Sequence, residues 1–357
     1  EGWIAGLQLA ALSMRDHDDV SGFIRDFAGD DRYVVDYLAE EVLRRQPADV
    51  RDFLLRTSIL DRLSGPLCDA ITERNDSRRL LESLEQGNLF VVPLDDKRRW
   101  YRYHHLFADV MRAWLLDEQP DHLPELHRRA SRWHERNGDL PAAIDHAFAA
   151  GDFSHAADLI EQAMPAMRRT RQEETLLTWL EALPDEVIRV RPVLSVDYAG
   201  TLLQARGAVE RAGAWLDHAE RWLAPATPPA EGMIVGNDAE FRRLPGQIAI
   251  YHAGRALIRG DVAGTMQHAG RALDLLPEGD DFGRGAAAGL LGLALWTSGD
   301  LDEGYRMYTE CMARLERAGF ISDLFGCALV LADIRITQGR LHEAMGIYER
   351  ALRTASA

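Results

Sequence analysis

Three stretches decide the architecture: RGDVAGTMQHAGRAL (259–273), SGDLDEGYRMYTECM (298–312) and QGRLHEAMGIYERAL (338–352). Each opens on a glycine break and continues as an amphipathic helical run, and an earlier break of the same kind stands at Gly207. Gly260 and Gly299 are 39 residues apart, Gly299 and Gly339 40. A fixed period in this range predicts stacked helical hairpins, because one such hairpin cannot bury its apolar face alone. The C-terminal half therefore reads as a repeat array, and repeat arrays bind things.

The repeats fit a tetratricopeptide-like frame. With each turn glycine at a hairpin bend, Gly200 and Gly292 fall seven residues upstream, where two helices approach closely; Ala253 and Ala332 fill the same slot. Downstream, Tyr308 and Tyr348 take the large apolar position of the second helix, with Leu216 and the smaller Ala269 as equivalents. Counting back from the glycines gives the positions expected to face a concave groove: Asp197, Thr201, Gln204, Gln247, Trp296, Thr297, Asp333 and Thr337. Polar groups with one large aromatic suit a small-molecule or peptide pocket, and Trp296 would be the stacking platform. The plainer alternative is a solvated concave surface with Trp296 packed on the next hairpin. The stretch 224–245, APATPPAEGMIVGNDAEFRRLP, reads as a loop that lengthens the spacing between Gly207 and Gly260.

Upstream, Tyr33 to Arg45 has helical periodicity, Pro47 starts another helix, and a third begins after Ser64-Gly65-Pro66. A fourth, from about Ser77 to Gln86, is expected to stop at Gly87-Asn88 in a left-handed conformation. LFVVPL (89–94), Asp95-Asp96 and KRRWYRYH (97–104) then give two strands about a polar turn, the one convincing β signal. Helix resumes from Leu106 to Leu116. These elements describe a winged helix over residues 31–118, preceded by helices over 1–30. Residues 119–192 read as short helical hairpins broken at Asn137-Gly138 and Gly151-Asp152, forming a linker, and 193–357 as the repeats. The fold class is mostly α, with one β-hairpin.

Composition bounds the function. At 357 residues, 46% apolar and 27% charged, the chain is globular and holds two or three domains. A net charge of −16 argues against holding nucleic acid unaided, since phosphate binding needs clustered Lys and Arg. No apolar run is long enough to span a membrane. Cys68, Cys311 and Cys327 lie far apart in sequence and read as buried free thiols in a reducing cytoplasm, rather than a disulfide or metal site. His104, His105, His122, His127 and His134 cluster, but only His127 and His134 share a helix face and nothing completes a metal set. Lys97, Arg98, Arg99 and Arg102 with Trp100, Tyr101 and Tyr103 form a basic, aromatic wing. Asp95, Asp96 and Asp109 flank it, which weakens a DNA-binding reading. No catalytic constellation is recognisable, so the chain is not read as an enzyme.

Three segments together carry a resemblance: GWIAGLQLAA (2–11), YRYHHLFADVMR (101–112) and HRRASRWHERNGDLPAAIDHAFAAGDFSHAADLI (127–160). In this order and spacing they resemble the MalT-like bacterial transcription activators, which belong to the STAND signal-transducing ATPases and often end in a LuxR-type helix-turn-helix. The match covers about residues 1–190; the repeats match in architecture. The resemblance implies the order nucleotide-binding domain, winged-helix arm, helical linker, tetratricopeptide-like sensor, DNA-binding domain. No GxxxxGK[ST] phosphate loop occurs in the chain. By the resemblance it would be the regulatory middle of a slow signal-transducing ATPase, with ATP or ADP expected in the longer protein. Tyr103-His104-His105-Leu106-Phe107 fits the family pattern Tyr-His-x-Leu-Phe, which implies that His104 contacts the β-phosphate of bound ADP; a helix-capping histidine is the bland alternative. The expected partners are the protein's own nucleotide-binding domain on the winged helix, and a small inducer or regulatory protein on the repeats. DNA would be contacted only through a further C-terminal domain. A scaffold that docks proteins and senses no small molecule is the competing reading.

Overall fold

The computed structural model describes residue 43 and residues 46–87, 89–223 and 232–355. The helices expected over 1–30 and from Tyr33 to Arg45 lie outside the described residues, apart from Leu43. Packing divides the chain into two compact units, one up to Ala156 and one from Ala157.

In the first unit Pro47 precedes α1 (Ala48–Thr57), and Ser64 caps α2 (Gly65–Thr72) by accepting the Leu67 N–H. Both starts follow from proline's preset φ and the short hydroxyl acceptor. Helix α3 (Ser77–Gln86) ends differently from the sequence expectation. Gly87 is right-handed, with φ −75°, and positive φ appears instead at Phe90. The last turn is closed by backbone bonds from Gly87 N–H to the Ser83 carbonyl and from Leu89 N–H to that of Leu84, so Gly87 needs no left-handed turn.

Strands β1 (Val91–Pro93) and β2 (Tyr101–Tyr103) pair antiparallel, Val91 opposite Tyr103 and Pro93 opposite Tyr101. Leu63 exchanges two 2.8 Å backbone bonds with Tyr101 and so supplies a third strand position that alternation in the sequence did not reveal. The wing turn is held by Asp95, whose carboxylate accepts the N–H groups of Arg99 and Trp100; these bonds hold its pKa below the usual value. Helix α4 (His105–Glu118) follows. Phe53, Leu54, Leu67, Ile71, Leu81 and Tyr101 form the centre of this core, and Thr57 meets the Tyr103 hydroxyl at 2.6 Å inside it. A 3-10 turn (Pro120–His122), α5 (Leu123–Arg136) and α6 (Leu140–Ala149) complete the unit, with α5 packed on α2.

Helix α7 (Phe153–Arg169) leads into the second unit, which continues through α8 (Glu173–Ala182), α9 (Asp185–Arg189), α10 (Pro192–Arg206) and α11 (Val209–Leu223). Then come α12 (Asp238–Ile258), α13 (Val262–Leu275), α14 (Asp281–Ser298), α15 (Leu301–Arg317), α16 (Ile321–Thr337) and α17 (Leu341–Ala355). The pairs α10–α11, α12–α13, α14–α15 and α16–α17 pack as hairpins, and the first helices of the first three stack on one another. Gly207, Gly260, Gly299 and Gly339 all adopt positive φ at the bends, as the period requires. After two of them an aspartate restarts the helix: Asp261 accepts the Gly264 N–H and Asp300 that of Glu303.

A second departure lies at the start of α12. Residues 238–245, read as loop, are the first turns of α12. Asn237 accepts the N–H groups of Ala239 and Glu240, and Asp238 and Glu240 favour the positive end of the helix dipole. Pro245 is accommodated inside this helix, whose start is fixed by its cap rather than by the proline.

Candidate functional site

A cavity of about 330 Å³ opens within the second unit. Its walls come from elements far apart in sequence: the C-terminal half of α7, α10 from Val193 to Gln204, α12 from Glu240 to Tyr251, the start of α14, and the turn between α15 and α16. Glu161 and Pro165 both line it. Pro165 has no N–H to give the Glu161 carbonyl, so the α7 ladder is interrupted at the cavity wall.

The polar floor is an ion pair. Arg168 Nη2 donates to Asp197 Oδ1 at 2.7 Å, with the two side chains only 15% and 11% exposed. Burial raises the Asp197 pKa, an effect that Arg168 opposes. Tyr251 lies beside the pair, its phenol pushed above the ordinary value by burial. The ring reaches this place because residue 200 is glycine: a Cβ there would lie 2.3 Å from the Tyr251 hydroxyl. The small slot read from the sequence thus seats a tyrosine from the neighbouring hairpin.

Glu161 is shielded beside Arg191, which is 2% exposed and also bonds Asp158 at 2.6 Å. Burial lifts the Glu161 pKa to about 7 against the pull of Arg191. Arg243 pairs with Glu240 at 3.1 Å, whereas Arg169 has no carboxylate in ion-pair range among the described residues. Part of the lining is apolar. Phe282 and Phe320 stack at 4.2 Å between centroids, joined by Ile250, Met164 and Val193. Polar groups of both signs together with an aromatic pair can orient a small amphiphilic molecule.

Of the eight groove positions read from the sequence, Asp197, Gln204 and Gln247 line this cavity. Thr201 is buried on α10 and donates to the Asp197 carbonyl at 2.9 Å. Trp296, Thr297, Asp333 and Thr337 are not among the lining residues. Trp296 and Thr297 end α14, whereas Phe282 and Ala286 line the cavity from its start, about 15 Å away along the axis at 1.5 Å per residue. The Trp296 backbone instead lies against Gly304. On α16, Asp333 accepts from the Tyr348 hydroxyl at 3.2 Å and Thr337 donates to the Asp333 carbonyl. Glu161, Arg168 and Arg169 were missed, because their helix had been assigned to the linker. The aromatic pair was missed because Phe282 and Phe320 are joined only by folding.

In the first unit, His104 is the residue before α4. It is half-buried, its N–H donates to the Phe90 carbonyl, and its ring lies 4.5 Å from that of His105. Its side chain makes no hydrogen bond that caps α4. His127 and His134 come together with His146, which sequence reading left out. The Nδ1 atoms of His127 and His146 are 2.9 Å apart, and the ring of His134 stacks 5.5 Å from that of His146. Among the described residues no group of three or more His, Cys, Asp or Glu is arranged to hold a metal ion, and no helix is long and apolar enough to cross a membrane.

Comparison with known proteins agrees with this architecture. Residues 39–123 match the MalT winged helix domain and residues 246–357 the MalT-like TPR region. The HTH-type transcriptional regulator MalT of Yersinia pestis is 31% identical over 98% of this chain and 38% of its own length. The serine/threonine-protein kinase PknK of Mycobacterium tuberculosis is 37% identical over 62% of this chain and 20% of its own. A STAND protein with a tetratricopeptide repeat sensor from Pyrococcus horikoshii superimposes with a TM-score of 0.63 at 15% identity, covering 100% of this chain and 54% of that one. The chain belongs with the MalT-like proteins, carrying their winged helix followed by their TPR region. It spans well under half the length of these curated relatives.

Proposed function

We propose that this chain is the regulatory arm and sensor region of an ATP-dependent transcription regulator of the LuxR-type, cytoplasmic class, and that the cavity of the repeats receives its inducer. The observation that carries this reading is the cavity itself, lined by the shielded Arg168–Asp197 pair and by the stacked Phe282 and Phe320. A ligand there touches α7, α10, α12, α14 and the α15–α16 turn at once, so its binding energy bears on how the hairpins pack. Ligand binding shifts a switch only by its differential affinity for the two states. The relatives support placing output elsewhere. One is named as a kinase and the other as an HTH-type regulator, yet both share sequence with this chain.

In the longer protein the winged helix would pack on the nucleotide-binding domain, with His104 directed at the ADP β-phosphate and contributing about 1.5–3 kcal/mol to the resting state. ATP and ADP are then the cofactors of that protein, and DNA is reached through a separate domain. Thermal-shift measurements against a panel of metabolites and short peptides test the sensor reading. A saturable stabilisation that is lost in Ala286→Trp, which fills the cavity, supports it. No stabilisation by any compound at millimolar concentration favours the scaffold alternative, in which the repeats dock proteins alone.

A further inference from the structure

The sulfurs of Cys311 on α15 and Cys327 on α16 lie 3.9 Å apart, both buried. A disulfide needs about 2.05 Å between sulfurs, so closure asks for side-chain rotation and a small approach of two helices that already pack together. The Cys311 sulfur is seated where α14 carries glycine: a Cβ on Gly289 would lie 3.0 Å from it. Sixteen residues separate the two cysteines. The turn they bracket carries Ala318 and Phe320, which form part of the cavity wall.

We propose that Cys311 and Cys327 are a redox-modification site, closed to an intramolecular disulfide by a peroxide and reopened by a dithiol. The pair is chemically unequal. A hydrogen bond from Cys311 lowers the pKa of Cys327, while the thiol of Cys311 is raised by that same bond and by burial. Cys327 is therefore the attacking sulfur. Its thiolate attacks one peroxide oxygen, the O–O bond breaks, and hydroxide leaves and is protonated to water. The Cys311 sulfur then attacks the sulfenic sulfur, the S–S bond forms, the S–O bond breaks, and the second oxygen departs as water with the thiol proton. Two electrons pass from the sulfurs to the peroxide. The bond staples α15 to α16 and fixes the turn that presents Phe320 to its partner Phe282.

The test treats the folded protein with hydrogen peroxide at neutral pH, blocks remaining thiols with N-ethylmaleimide, and maps peptides without reduction. The expected product is one cross-linked peptide pair containing Cys311 and Cys327. Cys68, the third thiol and fully buried, should be labelled only after unfolding. Dithiothreitol should reverse the bond, and the oxidised protein should melt several degrees higher, because a closed loop restricts the unfolded chain. Cys68→Ser should keep the cross-link, while Cys311→Ser and Cys327→Ser should each lose both the cross-link and the melting shift. Three recovered thiols, under conditions that oxidise N-acetylcysteine, overturn the proposal. So does a bond to Cys68 or to a second molecule, or sulfinic acid at Cys327 without the cross-link.

Discussion

Arg168 on α7 and Asp197 on α10 form a 2.7 Å ion pair largely shielded from solvent in the cavity lining, and Tyr251 of α12 packs beside it. Three elements thus meet at one pair of charges. Each charge is expensive to bury alone, so each holds the other in place.

Removing one partner should therefore cost more than removing both. Asp197→Asn or Arg168→Met alone is expected to destabilise the repeats by about 3–5 kcal/mol, because a buried charge is stranded. The double variant Arg168→Met/Asp197→Leu should recover most of that loss in a urea titration. Equal, additive losses would mean that the two side chains act independently.

Gly200 and Tyr251 should be coupled in the same way. A methyl at position 200 would overlap the Tyr251 ring, so Gly200→Ala is expected to cost about 1–3 kcal/mol through overpacking. In a Tyr251→Ala background the same change should cost little. A double-mutant cycle measures the difference directly.

The two units should respond to acid in opposite directions. Burial depresses the pKa values of His127, His134 and His146, the last to about 4 from 6.5. The fold thus favours their neutral forms. The stability they contribute is present above pH 6.5 and is lost as pH falls from there towards 4, by about 3 kcal/mol at most for His146. Glu161 has the reverse sign, its folded pKa raised to about 7 from 4.5. Its contribution is present below pH 4.5 and is lost as pH rises from there to 7, also by about 3 kcal/mol at most. Chemical denaturation between pH 4.5 and 7 should show the first unit weakening on acidification while the second strengthens. His146→Phe should flatten the first trend and Glu161→Gln the second.

What could be read in advance follows from what is local. The four repeat-bend glycines and the wing each declare themselves within a few residues and reappear in place, whereas the left-handed stop expected at Gly87 does not. The small slot at Gly200 was legible as a close approach, although the sequence did not say that Tyr251 would fill it. The cavity is different in kind. Its walls are supplied by residues from Glu161 to Phe320, and no periodicity within one helix reports which ends of α7, α12 and α14 converge. Counting back from the bends therefore found Asp197, Gln204 and Gln247, but also picked Trp296 and Thr297, which end α14 away from the cavity. His146 stayed hidden for the same reason: it joins His127 and His134 across a hairpin, not along a helix face.

The most direct measurement is ligand-observed NMR with the metabolite and peptide panel on the wild-type protein and on Ala286→Trp, whose added indole fills the cavity. The account expects at least one compound to show saturation transfer to the wild type, to be lost in Ala286→Trp with helix content and melting temperature preserved, and to be retained in Trp296→Ala. Binding that survives Ala286→Trp, or that disappears in Trp296→Ala, would place the sensor site elsewhere and contradict it.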